Sequence, residues 1–216
     1  MTTIRRIELD NIVKTYEATV ALGGVSLVFN AGEVHLVRGG NGSGKTTMLG
    51  IASLITRPTA GSIRFNDELV EIGHPFRAKI GHVSHQSWMY PSLSVRENLL
   101  LIAELYGLNT ANERVQRVLA RFEIDRIADR PMSTYSKGER QRSILARAVL
   151  HEPDVLFFDE PNVGLDEKAS RTLTSLIQER ASQNTINVIV THTDGWLDTI
   201  ADHVTTLAAG KVVDAK

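Results

Sequence analysis

Residues 38–47 form a glycine-rich stretch that reads Arg38-Gly39-Gly40-Asn41-Gly42-Ser43-Gly44-Lys45-Thr46-Thr47. It fits the pattern G-x-x-x-x-G-K-[ST] through Gly39, Gly44, Lys45 and Thr46. Residues 34–37 before it are apolar enough for a buried strand, and the apolar residues between 48 and 55 have helical spacing. Because the pattern requires a strand before it and a helix after it, this context predicts a phosphate-binding loop.

The loop is built to hold a nucleotide polyphosphate. Glycine lets backbone N–H groups face the phosphates, where a larger side chain would block their approach. The N-terminus of the following helix adds the positive end of its dipole, and Lys45 adds a full charge. Thr46 offers a hydroxyl to the Mg²⁺ that accompanies the nucleotide. We therefore expect residues 39–47 to bind a nucleoside triphosphate. The alternative, a glycine-rich turn with a surface lysine, leaves the strand–loop–helix context unexplained.

The composition is typical of a globular protein. The chain has 216 residues, of which 42% are hydrophobic and 23% charged, with a formal net charge of −1. No basic stripe stands out, so we expect no nucleic-acid partner. The absence of cysteine excludes disulfides and thiolate metal sites. No apolar run approaches the roughly 18 residues of a membrane span, and residues 1–6 do not resemble a secretory signal.

The order of the hydrophobic patterns predicts an α/β fold. Alternating apolar residues in the first thirty positions indicate a small antiparallel sheet, with further strands at 62–65 and 80–83. Residues 94–150 are helical in pattern, and Ser94, Thr110 and Ser136 each begin an S/T-x-x-E capping box. Gly107 is expected to end the first of these helices. Buried strands follow at 155–158 and 186–190, with a helix between them and a hairpin around Gly210.

Two carboxylates directly follow the apolar strand at 155–158. In open α/β sheets the carboxyl end of a strand borders the ligand crevice. Asp159 is therefore expected to hold Mg²⁺ opposite Thr46, and Glu160 to act as the general base for the water that attacks the γ-phosphate. Two solvated acids at a strand end are the alternative, which the upstream phosphate loop disfavours.

A third motif narrows the family. Residues 135–142 read Tyr135-Ser136-Lys137-Gly138-Glu139-Arg140-Gln141-Arg142 at the start of a predicted helix. This resembles the L-S-G-G-Q signature of the ATP-binding subunits of ABC transporters, with Tyr135, Lys137 and Glu139 departing from it. The resemblance implies that Ser136, Lys137, Gly138 and Glu139 meet the γ-phosphate held by a second subunit. A serine-capped helix N-terminus suits an anion; a plain capped helix is the alternative.

The resemblance extends over nearly the whole chain. It implies that Tyr16 stacks on adenine, that Gln86 contacts Mg²⁺ as the Q-loop glutamine, and that His192 senses the γ-phosphate. Because His85 stands immediately before Gln86, a shift of one residue in the alignment with the Q-loop remains an alternative. Residues 162–166 match the D-loop and end at Asp166.

The resemblance also implies the architecture and the assembly. We expect a single domain over residues 1–216 with a P-loop NTPase (RecA-like) core, a mostly parallel sheet and a small N-terminal antiparallel β subdomain. Residues 1–85 and 151–216 would form the β subdomain and core, and residues 86–150 an inserted helical subdomain. ATP and Mg²⁺ are the implied cofactors. Two copies would enclose two nucleotides head to tail, most simply as a homodimer.

The implied function is ATP hydrolysis that powers a membrane transporter, at the cytoplasmic face of the inner or plasma membrane and bound to membrane-spanning subunits. The aromatic and apolar residues at 88–93 would border the groove for a helix of that subunit; packing within the helical subdomain is the alternative. The chain resembles most the ATPase subunits of haem exporters in cytochrome c-type biogenesis. Exporters of another substrate, a non-transport ABC ATPase and a P-loop kinase remain as alternatives.

Overall fold

The computed structural model describes residues 2–84, 88–161, 167–193 and 195–215, without the side chain at position 168. The strands within these residues are, in chain order, β1 Arg6–Tyr16, β2 Thr19–Asn30, β3 Val34–Arg38, β4 Ala60–Phe65, β5 Glu68–Leu69, β6 Ile80–Val83, β7 Val155–Asp159, β8 Ile186–Thr191, β9 His203–Ala208 and β10 Lys211–Ala215. The α-helices are α1 Lys45–Ala52, α2 Val95–Leu105, α3 Ala111–Arg121, α4 Lys137–Val149 and α5 Glu167–Ser182.

The first sheet is antiparallel, as the alternating pattern predicts. Its strands lie in the order β2-β1-β4-β5. Ile7 pairs with Phe29 and Leu9 with Leu27 across the first two strands. Ile7, Leu9 and Phe29 are buried, because alternate residues of a strand point to the same face of a sheet. This sheet packs its apolar face over α1, and the two share one hydrophobic core.

The second sheet is parallel except at one edge. Its strands lie in the order β10-β9-β3-β8-β7-β6, and only β10 is antiparallel to its neighbour. β3, β7 and β8 are buried almost throughout, as expected for strands covered on both faces. Because β3, β8 and β7 are adjacent and parallel, their carboxyl ends lie side by side at one edge of the sheet. The residues that follow these strands therefore come together.

The helices between β6 and β7 confirm two of the three predicted capping boxes. The side chains of Ser94 and Ser136 each accept a hydrogen bond from the backbone N–H of the glutamate three residues later. The carboxylate of that glutamate accepts a hydrogen bond from the backbone N–H of the serine. The box predicted at Thr110 is wrong: this residue is left-handed (φ 56°), and its hydroxyl donates to the Asn109 carbonyl instead. A capping residue must be extended for its side chain to reach the next turn. Gly107 ends α2 as predicted, with φ 61°.

A second hydrophobic core joins α2, α3, α4 and α5 to the other face of the parallel sheet. In the part of the chain that the model describes, no helix combines the length and the apolar character needed to cross a lipid bilayer.

Candidate active site

The glycine-rich stretch connects β3 to α1, as its pattern requires. Gly44 has φ 102°, and a Cβ added to it would lie 2.6 Å from the Ala21 carbonyl oxygen. Gly42 also has a positive φ of 77°. Glycine is therefore needed at Gly44 for both its backbone conformation and its close packing on β2. Within the described residues, the buried Ser43 hydroxyl has no hydrogen-bond partner.

Lys45 is held inside the loop that it follows. Its side-chain Nζ donates to the carbonyl oxygens of Gly39 at 2.6 Å and Gly40 at 3.1 Å. The same nitrogen lies 3.9 Å from Glu160 Oε1, and the residue is only 6% exposed. An ammonium so shielded from water is costly unless oxygen atoms surround it. The loop thus presents a positive charge at the start of α1.

Thr46 and Asp159 lie opposite each other, as predicted. Thr46 Oγ1 is 3.5 Å from Asp159 Oδ1. Thr46 belongs to the first turn of α1, and Asp159 is the last residue of β7. A hydroxyl and a carboxylate are hard oxygen donors, the kind that Mg²⁺ prefers. The donor set therefore fits a magnesium ion shared with a bound phosphate.

Glu160 turns away from the strand it follows. It has a left-handed backbone (φ 50°), which is strained for a residue other than glycine. Its N–H donates to the Val190 carbonyl at 2.9 Å, which fixes the turn against β8. Its Oε2 lies 3.1 Å from Thr191 Oγ1 and 2.9 Å from His192 Nδ1. The carboxylate is thus held between the ends of two neighbouring strands.

These groups open into one cleft of about 500 Å³. Among the described residues its lining consists of Tyr16, Thr19, Val20, Ala21, Asn41, Gly42, Ser43, Gly44, Lys45, Thr46, Thr47, Asp159, Glu160 and His192. Gly39 and Gly40 are outside this lining and contribute carbonyl groups to Lys45 instead. The fold therefore gathers residues that are far apart in the sequence around the phosphate loop.

Tyr16 borders the cleft at the end of β1 and is 47% exposed. The Lys14 ammonium lies 4.8 Å from the centre of its ring. Lys14 also donates to the Arg57 carbonyl at 2.9 Å, which holds it in place. A cation over an aromatic face is a favourable contact that also orients the ring.

The predicted signature residues form a separate feature. Ser136, Lys137, Gly138 and Glu139 begin α4 and are not among the described residues that line the cleft. Glu139 Oε2 accepts from the Ser136 N–H at 2.7 Å, and that hydrogen bond lowers the pKa of Glu139. The N–H groups of Lys137 and Gly138 have no acceptor within the helix, since they belong to its first turn.

Two predicted residues, Gln86 and Asp166, lie outside the described residues. The structure also adds groups that the sequence reasoning did not single out. Thr191 donates to the Glu160 carboxylate, and residues 19–21 line the cleft. The sequence feature that could have identified Thr191 as a site residue is its position directly before His192, at the end of a buried strand.

A model of the ABC transporter family matches residues 22–163. This chain belongs to that family. The ABC chain is 34% identical over 215 residues to the ribose import ATP-binding protein RbsA 3 of Rubrobacter xylanophilus, spanning 96% of this chain and 43% of that relative. It is 32% identical over 170 residues to the cytochrome c biogenesis ATP-binding export protein CcmA 2 of Cupriavidus metallidurans, spanning 78% and 81%. The chain thus covers less than half of the ribose protein's length.

A solved structure confirms the fold of the ABC chain. It is the dimeric post-hydrolysis state of the ATP-binding cassette MJ0796 bound to ADP and Pi, with a TM-score of 0.88 and 26% identity. The match covers 97% of each chain. The predicted fold class is therefore correct: an ABC ATPase cassette with a P-loop NTPase core, an antiparallel sheet, a mostly parallel sheet and a helical part. One of these relatives is an import protein and the other a cytochrome c biogenesis export protein, so the relatives do not establish the narrower resemblance to haem exporters.

Proposed function

We propose that this chain is the ATP-binding and ATP-hydrolysing subunit of an ABC-type membrane transporter. One observation carries the proposal: Lys45, Thr46, Asp159, Glu160 and His192, which come from three separate stretches of sequence, line a single cleft. This set holds a cation for phosphate, two oxygen donors for a metal and a carboxylate beside a histidine. A phosphate-binding lysine, oxygen ligands for Mg²⁺ and a residue that orients or deprotonates the attacking water recur in enzymes of phosphoryl transfer.

Nucleotide binding is assigned to the loop and to Tyr16. The N–H groups of residues 39–47 and the Lys45 ammonium would hold the β- and γ-phosphates at the N-terminus of α1. The phosphate oxygens would replace the Gly39 and Gly40 carbonyls as acceptors for Lys45 Nζ. Adenine would stack on Tyr16, whose half-exposed ring Lys14 already orients.

Magnesium would be held by Thr46 and Asp159, with Gln86 as a further ligand. The 3.5 Å between Thr46 Oγ1 and Asp159 Oδ1 supports this assignment, since both oxygens can face one small cation. When bound, Mg²⁺ neutralises charge on the β- and γ-phosphate oxygens. The protein groups fix its position at the carboxyl edge of the parallel sheet.

Hydrolysis is assigned to Glu160 and His192. The Glu160 carboxylate would accept a proton from the attacking water, which places it as general base. The Thr191 hydroxyl and the His192 backbone N–H, at 3.1 and 3.3 Å, hold this carboxylate in one orientation. The His192 ring would sense the γ-phosphate of the bound nucleotide, because the ring contacts Glu160 and borders the same cleft.

The second half of the site would come from another copy of the chain. The open N-terminus of α4, with Ser136, Lys137, Gly138 and Glu139, would meet the γ-phosphate held by the partner. Asp166 would lie at the interface between the copies. The dimeric state of the similar cassette supports a head-to-tail homodimer. Loss of the γ-phosphate would then loosen the dimer.

The assembled protein would act peripherally at the cytoplasmic face of the membrane. We propose that residues 1–216 form one domain, with residues 1–85 and 151–216 as the β subdomain and core and residues 86–150 as the helical subdomain. This arrangement would place α2, α3 and α4 between the nucleotide core and the membrane-spanning subunits. As cargo we propose haem, in cytochrome c maturation. The 32% identity to a cytochrome c biogenesis export protein supports this, and the 34% identity to a ribose import protein points to a different cargo.

The test is isolation of the intact complex from membranes. A membrane-spanning transporter subunit should co-purify with the wild-type chain, and ATP hydrolysis by the complex should vanish with Lys45→Ala. Loss of c-type cytochromes on deletion of the gene would support haem as cargo. Transfer of the γ-phosphate to an added acceptor instead of water would favour a kinase, and DNA- or ribosome-stimulated hydrolysis a non-transport ATPase.

A further inference from the structure

The connection between β8 and β9 crosses over β3. It comprises residues 192–202, of which residue 194 is outside the described residues. β3 lies between β8 and β9 and is parallel to both, so the chain returns from the carboxyl end of β8 to the amino end of β9 across one face of β3. The first residue of this crossover is His192, which contacts Glu160. The position of the His192 ring therefore depends on the path of the first residues of the crossover.

Arg38 is joined to the chain on both sides of His192. It is the last residue of β3 and pairs in register with Thr191, the last residue of β8. Its guanidinium forms an ion pair with the carboxylate of Asp198, which belongs to the 3₁₀ helix Trp196–Thr199 of the crossover. The backbone of Arg38 thus fixes the residue before His192, and its side chain fixes the short helix that follows.

The short helix is itself well anchored. Asp198 Oδ2 accepts a hydrogen bond from the Gly195 N–H at 3.0 Å, and Leu197 is buried in the second hydrophobic core. The side chains of Arg38 and Asp198 are 24% and 32% exposed. Salt and water screen such a partly buried pair less than a fully exposed one. The ion pair therefore ties a packed element of the crossover to the end of β3.

Arg38 also borders the phosphate loop. Gly39 follows it directly, and the Gly39 carbonyl accepts a hydrogen bond from Lys45 Nζ. Neither Arg38 nor Asp198 is among the described residues that line the nucleotide cleft. Any effect of their ion pair on the site must therefore be transmitted through the crossover and the loop, without contact with the nucleotide.

We propose that Arg38 is a positioning residue for His192, and that its ion pair with Asp198 fixes the start of the crossover relative to the phosphate loop. The inference rests on the proposed function, in which His192 senses the γ-phosphate beside Glu160. Loss of the pair frees the segment that carries His192, so that its ring lies against the Glu160 carboxylate in a smaller fraction of molecules. A misplaced group slows the chemical step, while binding of the substrate by other groups persists.

The experiment measures ATP hydrolysis by the full chain in the presence of Mg²⁺. Asp198→Asn keeps the size of the side chain and removes its charge. Its kcat should fall roughly tenfold, with KM for ATP within about twofold of the wild-type value. Arg38→Met should give a similar loss, and the double variant no further loss, because both changes remove the same interaction. Arg38→Lys keeps the positive charge and should retain most of the wild-type kcat.

The ion pair between Arg96 and Asp129 supplies the matched control. It also joins an arginine to an aspartate, with Arg96 Nε 2.7 Å from Asp129 Oδ1. Neither residue is among the described residues that line the nucleotide cleft. Arg96→Met and Asp129→Asn remove the same charges as the test variants and should leave kcat unchanged.

A fluorescence measurement separates positioning from a general loss of stability. Trp196 lies two residues before Asp198 and packs against the second hydrophobic core, and Trp88 is the other of the two tryptophans in the chain. With Trp88→Phe present in every sample, Asp198→Asn should increase the quenching of Trp196 by acrylamide, because the short helix opens locally in the folded protein. Asp129→Asn should leave the quenching unchanged.

Three results would each overturn the positioning role and leave the proposed function standing. These are a wild-type kcat in Asp198→Asn, a further loss of kcat in the double variant, and an equal loss of kcat in Arg96→Met. Unchanged quenching of Trp196 in Asp198→Asn would overturn it as well. If the wild-type chain hydrolysed no ATP, either alone or in the complex from membranes, the proposed function would fail and the positioning role with it.

Discussion

Glu160 Oε2 and His192 Nδ1 lie 2.9 Å apart, across the ends of two neighbouring parallel strands. The backbone N–H of His192 lies 3.3 Å from the same oxygen. A single carboxylate oxygen therefore joins the end of β7 to the end of β8. Any movement of His192 toward a bound γ-phosphate must change the orientation of the proposed general base. With the roles proposed for the two residues, this contact would link detection of the nucleotide to its hydrolysis.

Glu160→Gln should abolish hydrolysis while preserving ATP binding. The amide keeps the shape of the side chain but cannot accept the proton of the attacking water, so the rate should fall by roughly 10²- to 10⁴-fold. With the γ-phosphate intact, the dimer should persist in size-exclusion chromatography with ATP and Mg²⁺. Glu113→Gln, on the exposed face of α3, is the control. Turnover of Glu160→Gln near the wild-type rate would exclude Glu160 as the base.

Mixing two inactive variants should restore one active site. Lys45→Ala removes the phosphate cation, and Gly138→Asp places a carboxylate at the N-terminus of α4, where it favours the helix but repels a phosphate. In a head-to-tail mixed dimer one site contains both defects and the other contains neither. Phosphate release should therefore rise on mixing, to about half of the wild-type rate per mixed dimer and about a quarter for a random 1:1 mixture, in which half of the dimers are mixed. No recovery, in a mixture shown to form mixed dimers, would contradict a site shared between copies.

Gly44→Ala and Gly40→Ala should differ in their effect on folding. A Cβ at Gly44 would meet the Ala21 carbonyl oxygen at 2.6 Å on a backbone with φ 102°. A Cβ at Gly40 would meet nothing within 4 Å. We expect Gly44→Ala to lower the free energy of unfolding by about 1–3 kcal/mol and Gly40→Ala to leave it nearly unchanged. Urea denaturation of both proteins measures this, and equal midpoints would refute the packing argument.

Stability should fall as the pH drops from about 6.5 to about 4. The pKa of His35, His82 and His151 is lowered to about 4, chiefly by the shielding of each ring from water. The unfolded chain, with histidine near 6.5, binds more protons in this range, so acid favours unfolding. Above pH 6.5 the contribution is complete. Denaturation curves at pH 7, 6 and 5 should show this loss, and His151→Gln should reduce its slope. A pH-independent midpoint would contradict the neutral state of these rings.

Local sequence rules worked where the deciding contacts are close in the chain. The strand at 155–158, the end of α2 at Gly107 and the capping boxes at Ser94 and Ser136 all follow from neighbouring residues, and the structure confirms them. The same rule was wrong at Thr110. Its S/T-x-x-E spacing is correct, but the short connection after Gly107 brings the chain into α3 with a left-handed Thr110. The spacing of residues does not contain that constraint.

The sequence by itself determined the phosphate loop, the alternation of strands and helices, and the identity of the polar residues at strand ends, because these depend on side-chain type and short-range periodicity. The tertiary structure decided which of these residues meet. Only the order of the parallel strands places Glu160 against Thr191 and His192. Likewise, only the packing of α4 on β6 places the guanidinium of Arg147 over the Trp88 ring. Such contacts depend on residues distant in the chain, whose relative positions are fixed by burial of the shared core.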